Sequence, residues 1–267
     1  MKLSANDASA RDGVDLDLET VPAHDAVFTV RTRFKDGALR EDTRPFEAMP
    51  DGALRARIPT AAIDPEAESV DILHPRFRAR RGDGGYWLGP RGQLGRFTRD
   101  SGMWTTDVYN NYLVLPACGF KTDAGFVLAW VKGLRFEAEI RVDAADGLFE
   151  MPVRFRIAKI GFAPYEDAVV DFYDLGPDAD YSEAGRFFRK TRLARGEIVP
   201  LAEKMKSRPE VAYLTDTFTA RLPQFAMKDR RPGDQTPETE PEVKVRYTYA
   251  QAANFMRRLK AAGVEKM

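Results

Sequence analysis

Residues 134–157, LRFEAEIRVDAADGLFEMPVRFRI, constrain the fold more than any other stretch of the chain. Leu134, Phe136, Ala138, Ile140 and Val142 alternate without a break with Arg135, Glu137, Glu139 and Arg141. Side chains on a strand point to alternate faces, so this pattern predicts a half-buried strand. Phe149, Met151, Val153, Phe155 and Ile157 repeat it, which predicts an antiparallel partner. Matching the two apolar faces places Val142 opposite Phe149 and leaves residues 143–148 as the loop. That register sets Arg141 against Glu150 and Glu137 against Arg154, and opposite charges across strands add about 0.2–1 kcal/mol each. Pro152 has no N–H and belongs at an edge or a bulge.

The two stretches before this hairpin are apolar on both faces. Residues 112–116 (YLVLP) and 126–131 (FVLAWV) read as strands covered on both sides, with 121–125 (KTDAG) as the turn between them. Half-wet outer strands around doubly covered inner ones are what a packed sandwich requires. Further strands are expected at 14–21, 26–34, 53–58, 69–73, 77–81, 86–90 and 93–97. Turn residues such as Asp36-Gly37 and Asp83-Gly84-Gly85 separate them. The spacing, with no helical period between, indicates an all-β domain over residues 1–177.

The chain changes character afterwards. Asp180 and Glu183 are spaced as a capping box, and Tyr181, Ala184, Phe187, Phe188 and Thr191 form an apolar stripe. Gly196 ends that helix and Pro200 opens a shorter one. Residues 226–241, AMKDRRPGDQTPETEP, read as a polar loop, so 178–241 make a helical connector and linker. Residues 243–247 predict a strand. Thr248 and Gln251 predict a second capping box, and Ala252, Phe255, Met256, Leu259 and Ala262 line one face of the helix that Gly263 closes. A strand, a helix and a Gly stop are the opening of a β/α repeat. Residues 242–267 are therefore expected to begin a truncated β/α barrel, whose remaining part would be this chain's missing partner domain.

Composition excludes several functions. Lys and Arg total 41 against 41 Asp and Glu, so nothing pulls the whole chain toward nucleic acid or anionic membrane. No run approaches the roughly 20 apolar residues of a membrane span, and the first residues lack the apolar core of a signal peptide, which gives a cytoplasmic expectation. Cys118 is the single cysteine and reads as a buried small hydrophobe; with His24 and His74 it makes no Cys/His zinc set, and no metal or cofactor is expected. The basic cluster Arg76, Arg78, Arg80 and Arg81 lacks interleaved aromatics and reads as a solvated strand face. Gly89, Gly92 and Gly95 read as hairpin glycines rather than a phosphate loop.

Residues 185–214 (GRFFRKTRLARGEIVPLAEKMKSRPEVAYL), 235–241 (QTPETEP) and 243–267 (VKVRYTYAQAANFMRRLKAAGVEKM) together resemble the domain junction of large, uncharacterised bacterial glycoside-hydrolase-like proteins. More distantly the chain is similar to endo-α-N-acetylgalactosaminidases. The resemblance extends loosely through 86–92 (YWLGPRG) and 112–131. It implies a mutarotase-like β-supersandwich followed by a (β/α)8 barrel that holds the catalytic carboxylates. Those would lie beyond this chain, so no catalytic residue is assigned and the chain alone is expected to be inactive.

Glycoside hydrolysis normally uses two carboxylates about 5–10 Å apart. Asp171, Asp174, Asp178 and Asp180 precede a helix, where Asp serves in turns and caps. Glu238 and Glu240 sit in the polar linker, and Glu238 is kept as a candidate substrate contact. The candidate sugar surface is Trp87, Trp104, Tyr109 and Asn110, flanked by Asn111 and Tyr112, because aromatic faces stack on sugars and amides pair with hydroxyls. The same rings could equally pack a core. Trp130, in a doubly covered strand, is assigned to the core. Two functions follow: the non-catalytic sandwich of a carbohydrate-active enzyme, or a stand-alone carbohydrate-binding module.

Overall fold

The structure, a computed structural model, describes residues 26–108, 115–220, 222, 226–228, 236–239 and 243–266. The expected strand at 14–21 lies outside them, as do Tyr112, Leu113 and Val114. The chain divides into two compact units, residues 1–189 and 190–267.

The first unit is mainly β, with two antiparallel sheets. One contains β1 (Val27–Phe34), β2 (Leu39–Pro45), β5 (Ala67–Leu73), β6 (Arg78–Arg80), β9 (Gly102–Asp107), β12 (Ala138–Ala145), β13 (Leu148–Glu150) and β14 (Val153–Phe155). Its order is β2-β1-β5-β14-β12-β13-β6, with β9 also on β12. The other runs β3-β4-β15-β11-β10-β7-β8, from β3 (Glu47–Ala48), β4 (Leu54–Ile58), β7 (Tyr86–Leu88), β8 (Leu94–Gly95), β10 (Ala117–Thr122), β11 (Gly125–Val131) and β15 (Ala168–Asp174).

Along the paired strands, alternation in the sequence becomes a face. Val30, Val70, Ile72, Ile140, Val153 and Phe155 from the first sheet join Ile58, Phe120, Val127, Ala129 and Phe172 from the second in one core. The opposite face of the second sheet carries Phe126, Leu128, Trp130 and Tyr173, which α1 (Tyr181–Ala194) covers with Ala184 and Phe188. β11 is thus buried on both faces, as its uninterrupted apolar run requires. Its partner is β10, which carries the buried Cys118; among the described residues of the expected strand at 112–116, Leu115 and Pro116 are not in a strand.

The hairpin at 134–157 departs from expectation in three ways. Residues 134–137 form a turn, not the start of a strand: Leu134 is buried with φ 47°, its N–H donates to Glu166 Oε1 at 2.6 Å, and Phe136 is 53% exposed. The register is shifted by two residues, with Ala144 opposite Phe149 and Glu139 opposite Arg154. Asp146 (φ 50°) and Gly147 (φ 73°) make the two-residue turn whose twist suits a hairpin, so the strands run closer to the tip. Finally, the expected charge pairs do not form. Arg154 donates twice to Asp71 at 2.7 Å, and Arg141 pairs with Asp143 at 2.6 Å. Glu150 instead accepts from Arg31 and Arg78. Pro152 falls where the second strand breaks into β13, paired on its far edge with β6, and β14, paired with β5.

These pairs belong to a charged outer face. Glu41, Arg31, Asp71, Arg154 and Glu139 stand opposite one another along a row across five strands. Arg154 and Asp71 are only 11% and 8% exposed, so their doubled hydrogen bond offsets a real desolvation cost. Three arginines of the basic cluster are likewise paired, Arg78 with Glu150, Arg81 with Asp100 and Arg76 with Asp174. Arg76 is a correction: its side chain is 13% exposed, not part of a solvated face.

Asp180 Oδ1 accepts the N–H groups of Ser182 and Glu183 at 2.7 and 3.0 Å, capping α1. The Glu183 N–H in particular holds the carboxyl below its usual range. Tyr181, expected in the buried stripe, is half exposed; its N–H donates to the Tyr86 hydroxyl at 2.9 Å.

The second unit contains α2 (Leu201–Ser207), α3 (Pro209–Thr215), β16 (Ala226–Lys228), β17 (Val243–Val245) and α4 (Tyr249–Ala261). α3 and β16 were not expected; β16 lies in the supposed loop and pairs antiparallel with β17. The Thr248–Gln251 capping box is present and Gly263 has φ 93°. Among the described residues of this unit none is buried, and Phe255, Val243 and Val245 are exposed. No helix among the described residues is long and apolar enough to cross a membrane.

Candidate functional site

The fold brings Trp87 and Trp104 together from different sheets. Trp87 sits in β7 opposite Phe120, and Trp104 in β9 opposite Val142. Phe120 and Val142 belong to the inter-sheet core, so both indoles point between the sheets and meet with ring centroids 4.8 Å apart at 33°. Glycines make room for them. A Cβ at Gly95 would lie 2.1 Å from the Trp87 ring, and one at Gly89 would lie 2.8 Å from that of Trp104. The hairpin glycines of the sequence are therefore also the bare backbone on which the indoles rest.

Both indoles pack partly against the core and stay partly exposed. A partly wet pair of rings can close the sheet edge and offer a face to a sugar. Tyr109 and Asn110, with Asn111 and Tyr112, lie outside the described residues. Glu238 is exposed in the second unit, its carboxyl held below the usual range chiefly by the Thr236 hydroxyl.

Three of the acidic candidates in the first unit, Asp171, Asp174 and the helix-capping Asp180, have structural partners. Asp171, 1% exposed, accepts Arg55 Nε and Nη2 at 2.7 and 3.0 Å. Asp174 accepts the Gly176 N–H and Arg76. Cys118 is buried and burial pushes its thiol up, which opposes any nucleophilic role. His74 is buried among Phe46, Phe77 and Phe172, and accepts the Arg76 N–H on Nδ1 at 3.1 Å.

Two features were not found by sequence reasoning. Phe162 and Tyr165 are exposed with rings 6.5 Å apart, and the Tyr165 hydroxyl donates to Glu137 Oε2 at 2.6 Å. Their segment has no period, so nothing in it distinguishes them from ordinary loop residues. The second is a cavity of about 380 Å³ between Arg76, Asp83 and Asp123. Its signals, the turns 83–85 and 121–125, are legible, but their juxtaposition depends on the pairing of β7 with β10.

No family model matches the chain, and no curated protein does. Among solved structures, α-N-acetylgalactosaminidase NagBb from Bifidobacterium bifidum matches in its GalNAc complex with a TM-score of 0.58 at 18% identity. Its Gal-NHAc-DNJ complex matches with 0.52 at 17%. Each match covers 88% of this chain and 39% of the other, so the chain spans about two fifths of that enzyme's length. At such identity the likeness is one of fold, and the fold is shared with a glycoside hydrolase.

Proposed function

We propose that this chain is the non-catalytic sandwich portion of a glycoside-hydrolase-like, carbohydrate-active enzyme. Residues 1–177 form a mutarotase-like supersandwich, 178–241 a connector and linker, and 242–267 the opening of a (β/α)8 barrel that carries the reaction. The observation that carries this reading is the match of 88% of the chain to 39% of a glycosidase. The exposed apolar side chains of Val243, Val245 and Phe255 agree with a surface meant to be covered by further barrel strands and helices. Trp87, Trp104, Tyr109, Asn110 and Glu238 are the side chains proposed to face carbohydrate.

The test is an assay of residues 1–267 against aryl glycosides, beginning with p-nitrophenyl α-N-acetylgalactosaminide, beside the product of the reading frame continued past Met267. The expected result is no turnover by residues 1–267 and turnover by the continued product. Cleavage by residues 1–267 alone would overturn the reading. The partly exposed Trp87–Trp104 pair favours one other reading, a stand-alone carbohydrate-binding module. A stop codon after Met267, with sugar-dependent quenching of tryptophan fluorescence, would select it.

A further inference from the structure

A second depression, of about 340 Å³, opens on the charged outer face of the first sheet, beside the row that runs from Glu41 to Glu139. That volume is within the roughly 300–1,000 Å³ of small-molecule sites. Two residues along β1 from Arg31, the pattern of the row breaks. Arg31 stands opposite Glu41 on β2 and Asp71 on β5, whereas Arg33 stands opposite Leu39 and Ser69. Arg31 pairs with Glu41 and Glu150. The Arg33 guanidinium meets no acceptor among the described residues, and its N–H groups stay open to solvent. Ser69 is only 5% exposed, yet its hydroxyl has no hydrogen-bond partner among the described residues and opens on the same depression. Buried polar side chains in native proteins find a partner, so this hydroxyl is left for a group that enters from outside.

The backbone is bent at this point. Arg33 pairs with Ser69 and Phe34 with Ala67, so Glu68 is an extra residue that bulges out of β5. A bulge re-aims side chains and is over-represented beside active sites. Glu68 and Ser69, which a regular strand would send to opposite faces, both line the depression. Ala158 and Lys159 reach it from the single 3-10 turn Ile157–Lys159, which follows β14.

The charges choose the ligand class. Arg154 is held by Asp71, and Arg156 faces Glu139 at 3.6 Å. The other charged groups around the depression, Arg33, Lys159 and Glu68, form no ion pair among the described residues. Two cations against one carboxylate leave a single positive charge, which attracts a single negative one. A guanidinium offers a planar fork that matches a carboxylate with two parallel hydrogen bonds. Glu68 and Ser69 Oγ accept hydroxyl protons, which a bare anion such as acetate does not carry. We infer that this depression binds an acidic sugar, a ring with one carboxylate and free hydroxyls. Arg33 and Lys159 take the carboxylate, and Glu68 and Ser69 take the hydroxyls. The inference rests on the carbohydrate reading above and names the sugar class that this face recognises, away from the tryptophan pair.

The experiment is an amide-resolved NMR titration of residues 1–267 with methyl glucuronide, methyl galacturonide and N-acetylneuraminic acid, beside methyl galactoside and sodium acetate. Arg33→Gln and Ser69→Ala are the variants. Neither breaks a side-chain hydrogen bond among the described residues, and each variant's spectrum reports directly whether it folds. At least one acidic sugar is expected to shift the Arg33, Glu68, Ser69 and Lys159 amides saturably, with methyl galactoside and acetate binding far more weakly. Arg33→Gln should weaken that response about tenfold or more, as loss of a hydrogen bond to a charged group does, and Ser69→Ala should weaken it less. Acetate that binds as tightly as the acidic sugars would reduce the site to one for simple anions and overturn the inference. So would equal binding of methyl galactoside, a response that Arg33→Gln leaves unchanged, or no shift with any acidic sugar. None of these outcomes decides the carbohydrate reading, which the aryl glycoside assay tests by turnover rather than by binding.

Discussion

His74 ties folding to pH. It is enclosed by Phe46, Phe77 and Phe172, and burial, with the Arg76 guanidinium adding to it, pushes its pKa down to about 3. The unfolded imidazole titrates near its ordinary value of about 6.5. Above that pH both states are neutral and His74 contributes nothing to the pH dependence of stability. Below it the unfolded chain takes up a proton that the folded chain refuses, so stability falls by roughly 1.4 kcal/mol per pH unit until the folded group itself protonates. The loss reaches on the order of 5 kcal/mol by pH 3. His74→Asn removes the titration and offers an oxygen for the Arg76 N–H. Urea unfolding between pH 7 and 5 should show the variant less stable at pH 7, through lost packing, but with a flatter dependence below 6.5. Parallel curves for the two proteins would mean that His74 titrates alike in both states. Nothing in the sequence separates a histidine that must stay neutral from one that is wet, because its neighbours Phe46 and Phe172 are distant in the chain.

At the level of elements, the turn at Asp146-Gly147 fixes the register of the central hairpin. Both residues have positive φ, and a Cβ on Gly147 would come no closer than 3.4 Å to its neighbours. Gly147→Ala therefore tests conformation without a clash. It should cost about 1–2 kcal/mol, the penalty for an L-residue in the left-handed region. Gly147→Asn should cost less, since its short polar side chain tolerates that region. Chemical denaturation of the three proteins checks the order, and equal losses for Ala and Asn would show that φ is not the cause. The same turn explains what could be read from sequence. Within the paired strands alternation identified the buried face correctly, because a two-residue slip leaves each side chain on its own face, but it failed in the turn 134–137, where Phe136 is exposed and Glu137 buried. The exact pairing needed the turn geometry, so the expected pairs Arg141–Glu150 and Glu137–Arg154 gave way to Arg154–Asp71 and the bridge of Glu150 to Arg31 and Arg78. β2 escaped notice for the opposite reason. Its sequence LREDTRP is polar on both faces, as suits an edge strand guarded by charge. Of the candidate site, the turn signal at Pro90-Arg91-Gly92 placed Trp87 on a strand, but the meeting with Trp104 came from β9, whose GMWTTD has no clear period.

At the scale of the whole chain, burial is divided unequally. The first unit holds both hydrophobic clusters, whereas the described residues of the second include none that is buried. The second unit keeps its shape through local means. These are the Thr248–Gln251 capping box, ion pairs such as Lys266–Asp216 at 2.5 Å, and the Phe218 N–H donating to the Lys266 carbonyl at 2.9 Å. Exposed ion pairs contribute about 0–1 kcal/mol, and helices of 7 to 13 residues are marginal without a packed face. Local opening should therefore require far less free energy here than in the sandwich, where every strand shares a ladder with another. The three tryptophans, Trp87, Trp104 and Trp130, all lie in the first unit and report only on it. Two consequences can be measured on residues 1–267. On heating, helical circular dichroism should decline before tryptophan fluorescence changes. In native hydrogen exchange, the amides of α2, α3 and α4 should exchange well ahead of those of β11 and β12. Coincident transitions with uniform protection would require the second unit to gain burial from a surface of its own kind, such as another copy of the chain, and protection that rises with protein concentration would identify that case. If the chain is joined to the proposed barrel, the same amides should become protected together, because the barrel would cover the apolar side chains of β17 and α4 that now face solvent.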